Sequence, residues 1–143
     1  MDEINEENND LIFYGLNQLL FINSMNTTQN TIVQLTEEFA LEAIQFSRIL
    51  KKEDQRELAF QLFKSGTSIG ANVAEAQHAE SKLDFIHKLK IASKEARETA
   101  YWLNLCRRSQ YLPGNPDAES KLLSIEKMLS KIISTSKKSL NPK

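Results

Sequence analysis

The chain has 143 residues, 41% hydrophobic and 26% charged, which is enough for one domain with a single core and ordinary for a globular protein. Four glycines and three prolines are too few for the many turns of a β-rich fold, and a lone cysteine, Cys106, excludes an internal disulfide and a multi-cysteine zinc site. The net charge of −1 is uneven: residues 1–30 hold five acids and no lysine or arginine, leaving 18 basic against 14 acidic groups downstream, a balance well short of a nucleic-acid-binding tail.

The chain opens on an acidic, Asn-rich stretch, residues 1–30, in which NEENND and NSMNTTQN flank the apolar patch LIFYGLNQLLFI. That patch is too short and too polar to span a bilayer. Acids precede it where a secretory signal carries bases. A cytoplasmic protein with no membrane contact is the expectation, in keeping with an unpaired thiol in a reducing compartment. Two readings of the stretch stand open, a short extra helix lying on the domain or an extension of weak order, and its composition favours weak order. Met25 is an alternative start.

From Thr31 the chain reads as helices. The first, about 31–52, carries Ile32, Leu35, Phe39, Ala43, Phe46 and Leu50 at steps of three and four, so one face is apolar. Lys51 and Lys52 suit the negative end of its dipole. The second, about 54–79, runs through Leu58, Leu62, Ile69, Val73 and Ala76, with Asp54 placed to cap it.

The third opens on a capping box, Ser81 with Asp84. Phe85, Leu89, Ala92, Ala96, Thr99, Leu103 and Cys106 then step alternately by four and three, a heptad seam, with Ile91, Trp102 and Leu105 as a second stripe beside it. Pro113-Gly114-Asn115-Pro116 signals a turn. The fourth helix, about 117–138, uses Leu122, Ile125, Leu129, Ile132 and Ser136. Similar lengths joined by short links predict an all-α, up-down-up-down antiparallel four-helix bundle over residues 31–143.

GTSIG, residues 66–70, fits the nucleophile-elbow pattern G-x-S-x-G around Ser68. An elbow needs a strand before the serine, and helical periodicity runs through both sides here. A Walker A loop fails as well, because Gly66 and Gly70 stand one residue too close and no lysine follows. What remains is packing. Ser65, Gly66, Gly70, Ala71 and Ala74 line one side of the second helix. Two glycines make it a poor helix former by roughly 1 kcal/mol each, in exchange for close approach by a helix of the same chain or of a second subunit.

Other constellations are weaker. Glu75-x-x-His78 and Asp84-x-x-His87 have the spacing of di-metal bundles, but such sites need an acid from every helix, and residues 132–138 offer none. No metal, cofactor or catalytic residue is expected. Cys106 reads as a buried structural thiol. Glu95 and Glu98 interrupt the stripes of the third helix, where a covered charge needs a partner, and Arg97 is within reach of Glu98 across a helix contact. Lys82, Lys88, Lys90, Lys94, Arg97, Arg107 and Arg108 form a basic run, diluted by Asp84, Glu95 and Glu98, that is a candidate nucleic-acid surface.

SGTSIGANVAEA (65–76), the S-K-x-D-F-I start at Ser81 and KEARETAYWL (94–103) together resemble the family named after the intervening sequences of bacterial 23S ribosomal RNA genes, over roughly residues 31–138. The resemblance implies an up-down four-helix bundle, usually assembled as a ring-shaped homopentamer, and it does not imply an enzyme. The accessory proteins of diversity-generating retroelements look like the same bundle and ring and work with nucleic acid. The acidic extension and the mildly basic bundle depart from a tight RNA binder. Gly66, Gly70, Asn72, Glu75, Glu95 and Trp102 match the family pattern, which implies packing and ring contacts for them. The expected function is a non-enzymatic, homo-oligomeric binding or scaffold module with RNA as a candidate partner; the alternative is docking of a protein partner through the ring.

Overall fold

The computed structural model describes residues 3–141, and most side chains before Thr31 lie outside that description. Among the described residues there are four helices and no strand: α1 Glu3–Lys52, α2 Arg56–Ala76, α3 Lys82–Arg108 and α4 Pro116–Leu140. No helix among them is long and apolar enough to cross a membrane. The chain falls into two compact units, Met1–Thr31 and Ile32–Lys143.

In the first unit the backbone is helical from Glu3, whereas the apolar period marks a helix only from about residue 31. The reason is that helical hydrogen bonds close locally, while periodicity marks only the part of a helix that is packed. Leu16, Leu19 and Leu20 are exposed. The two readings of residues 1–30, an extra helix on the domain or an extension of weak order, concern side chains that lie mostly outside the described residues.

The second unit is a four-helix bundle. Every step of the α1 stripe is buried except half-covered Leu35, and Thr36 and Ser47 join it with their hydroxyls turned to the carbonyls of Ile32 and Ala43. The α4 stripe is buried throughout, extended by Ala118. On α3 the seam is buried from Leu89 to Cys106, but at its start Ile86 is buried and Phe85 only half so. Ile91, Trp102 and Leu105 are half-buried, as a second stripe facing a flanking helix must be.

Neighbouring helices run antiparallel. Gly66 and Gly70 of α2 face Ala43 and Thr36 of α1. Ser65 and Glu75 of α2 meet Thr99 and Lys88 of α3. Lys82 and Arg107 of α3 meet Ser139 and Glu119 of α4. In each pair one number rises as the other falls, which is the up-down-up-down order. Lys121 of α4 closes the square on Glu42 of α1 at 2.8 Å.

The turns follow their residues, with one correction. Asp54 does not cap α2: the residue before that helix is Gln55, which makes no side-chain cap bond. Asp54 instead ends α1. Its φ of 57° is left-handed, its amide donates to Lys51 O at 3.1 Å, and the Gln55 amide donates to Leu50 O at 2.9 Å. Those two bonds make a Schellman closure, and a short acid tolerates the left-handed position better than most residues. Ser81 does cap α3, accepting from the Asp84 amide at 3.1 Å, while the Asp84 carboxylate accepts from the Glu80 amide at 3.2 Å. Asn115 caps α4 by accepting from the Ala118 amide at 3.1 Å, with Pro116 following where a missing N–H does no harm.

Candidate functional site

Gly66 and Gly70 of α2 sit against α1 of the same chain. A Cβ added at Gly66 would lie 2.6 Å from the Ala43 Cβ, and one added at Gly70 would lie 3.1 Å from the Thr36 carbonyl oxygen. Ser65 and Gly66 are buried, Gly70 and Asn72 half-buried, and Ala74 and Glu75 exposed. Asn72 turns its amide back to the Ser68 carbonyl at 2.8 Å. Ser68 itself lies inside α2, with helix on both sides, so it has no strand-to-helix elbow.

On the adjoining side of α2 polar groups join it to α3. Thr99 Oγ1 is 2.9 Å from Ser65 Oγ and 2.8 Å from the Glu95 carbonyl, all under cover. Lys88 pairs with Glu75, a bond that raises the ammonium pKa. Glu95 is half-covered, and burial pushes its carboxyl up from the ordinary 4.5; the charge of Glu98 adds to this, and Lys64 and Lys94 oppose it. Glu98 is exposed and accepts from Trp102 Nε1 at 3.3 Å. It forms no pair with Arg97 among the described residues, because the two face different flanks of α3. Trp102 is half-buried with the Tyr101 ring edge-on, centroids 4.9 Å apart. Cys106 is fully buried, and burial pushes its thiol up; His78 and His87 are exposed.

The basic run divides. Three of its cations are spoken for: Lys82 donates to Ser139 Oγ at 2.7 Å, Lys88 is held by Glu75, and Arg107 contacts Glu119 at 3.0 Å and Asn104 at 2.6 Å. Lys90, Lys94, Arg97 and Arg108 are exposed and form no ion pair among the described residues. Arg97 lies on the wall of an open groove of about 840 Å³ between α3 and α4. The other wall supplies Lys127, Lys131, Lys137 and Lys138, with Glu126 as the single acid and Ser93, Ser130 and Ser134 as hydroxyls. The α4 lysines escape a reading of α3 alone. Their signal was present, since Lys127, Lys131 and Lys138 step by four and seven away from the apolar stripe.

The family model for the 23S rRNA-intervening sequence protein matches residues 28–134, most of the chain. The chain belongs to the 23S rRNA-intervening sequence protein family. A solved structure of a protein of unknown function from the S23 ribosomal protein family of Bacteroides thetaiotaomicron is similar to it, at 38% identity and a TM-score of 0.71, covering 75% of this chain and 98% of that one. No curated protein matches.

This 23S rRNA-intervening sequence family member thus presents two differently built flanks. The contact of α2 with α1 and α3 is neutral or internally paired and holds the bundle together. The α3–α4 flank concentrates five cations around one acid at a solvent-open groove, an arrangement suited to attracting polyanions.

Proposed function

We infer that this protein is a non-enzymatic, homo-oligomeric binding module whose ligand is RNA. The observation that carries the reading is the unneutralised charge on α3 and α4: Lys90, Lys94, Arg97 and Arg108, with Lys127, Lys131, Lys137 and Lys138, in a chain whose formal net charge is −1. Charge spread evenly would be solvation; charge gathered on one flank of a near-neutral chain is a binding surface. Assembly into a homopentameric ring, the form that the family resemblance implies, would repeat that flank around the ring and add its phosphate contacts together.

A second reading, docking of a protein partner, is favoured by another flank. Leu41 and Ile49 are 60% and 47% exposed along an α1–α4 groove that also holds Glu38 and Glu42. Native mass spectrometry on protein purified without nuclease separates the two. A pentamer carrying mass that RNase removes is the expected result. A clean pentamer transfers the proposal to the protein partner, and a bare monomer overturns the ring.

A further inference from the structure

The geometry points to the α3–α4 groove as a channel for single-stranded nucleic acid, in which Arg97, Lys127, Lys131 and Lys138 hold successive phosphates and Tyr101 stacks a base. This rests on the RNA reading above and goes further, since it fixes the flank, the strandedness and the stacking residue.

Three observations carry it. The first is width. The groove lies between two packed helices, and helices in contact ordinarily stand roughly 8–10 Å apart, axis to axis. A trough of that size takes one backbone, whereas a double helix can rest only on its rim. The second is the row of charges. Lys127 to Lys138 spans about 16 Å of α4 at 1.5 Å rise per residue, with Arg97 on the facing wall. Ser93, Ser130 and Ser134 intersperse hydroxyls that can donate to phosphate oxygens. Glu126 is the one acid of the groove, and it makes no ion pair with Arg97 or Lys127 among the described residues.

The third is the aromatic ring. Tyr101 stands one helical turn beyond Arg97 on the same flank of α3 and is 55% exposed, although Trp102 braces it edge-on. An exposed, braced ring beside a cationic trough is the pairing found in sequence-tolerant single-strand binders, where bases stack while phosphates meet the charges. Leu123, also exposed, lies further along the same α3–α4 seam beside Ala100.

The test is fluorescence anisotropy with the full chain, using a labelled oligouridine of about 20 nucleotides and a mixed-sequence RNA duplex of the same length. Four phosphate contacts predict that log affinity falls with log salt with a slope of about −3. Lys127→Glu/Lys131→Glu should weaken single-strand binding at least tenfold and flatten the slope by about 1.4. Tyr101→Ala should weaken it about tenfold with the slope unchanged. Lys51→Glu/Lys52→Glu, the same charge change at the end of α1, should stay within about twofold because screening confines it. Circular dichroism checks that each variant is folded. Single-strand binding that persists in the Lys127/Lys131 variant overturns the groove but leaves the RNA reading standing, as does a duplex bound as tightly as the single strand. Wild-type protein that binds neither RNA overturns both.

Discussion

Gly66 of α2 and Ala43 of α1 approach so closely that a Cβ on the glycine would lie 2.6 Å from the alanine Cβ. Both positions are rigid extensions of backbone, so neither can turn aside. Gly66→Ala must push α1 and α2 apart. The overpacking costs roughly 1–3 kcal/mol, against which alanine recovers about 1 kcal/mol of helix propensity. Gly70 faces the Thr36 carbonyl at 3.1 Å, a contact that a small shift relieves, so Gly70→Ala should cost less. Gly70→Leu should unfold the domain or disrupt assembly. Urea denaturation followed by circular dichroism ranks them. Ala43→Gly should restore much of what Gly66→Ala loses, and a Gly66→Ala protein more stable than wild type would sink the packing account.

Ser65 and Thr99 share a buried hydroxyl contact between α2 and α3. Thr99→Val keeps the shape but strands the Ser65 hydroxyl without its partner, at a cost of about 1–2 kcal/mol. Adding Ser65→Ala removes the stranded group, so the double variant should lose less than the two singles combined. Strict additivity in a double-mutant cycle would mean that the contact contributes nothing.

Glu95 makes stability depend on pH. Burial, then the Glu98 charge, raises its folded pKa above the ordinary 4.5. The native state therefore favours the protonated acid. Its stabilising contribution is fully present below the ordinary value and is lost as pH rises through the raised one. Glu95→Gln mimics the protonated form. It should be more stable than wild type at pH 7 and lose that advantage by about pH 4. Equal urea midpoint differences at both pH values would remove the electrostatic cause.

Cys106 is fully buried, and burial pushes its thiol up, with the Glu119 charge adding. A water-soluble thiol reagent at pH 8 should react on the order of 100-fold or more slowly than with a free cysteine, and at full speed in denaturing urea. Rapid reaction of the native protein would show that the α3 seam opens at this end.

The α3 seam shows how much could be read without coordinates. Its spacing of four and three named Leu89 through Cys106 correctly, because a residue on the inner face of a packed helix must be apolar or small whatever its partner. The same logic placed the α4 stripe, the Ser81 capping box and the turn at Pro113–Pro116. The reading erred at helix ends: the seam named Phe85 where Ile86 is the buried residue, and Asp54 has the chemistry of an N-cap, yet the backbone uses it as the left-handed stop of α1. The helix before Thr31 runs well beyond its one apolar patch, residues 11–22, because local hydrogen bonds require no apolar face.

By itself, then, the sequence determined the four helices of the bundle and their buried faces, both consequences of local bonding and of periods written along one strand of chain. The tertiary structure decided which helix each face meets. It set Gly66 against Ala43 of the same chain, and it brought Arg97 of α3 opposite the lysines of α4, some thirty residues away. A charge is read one helix at a time, but a groove needs two helices. Their pairing is fixed by how the bundle closes around its core, and no spacing within one segment records it.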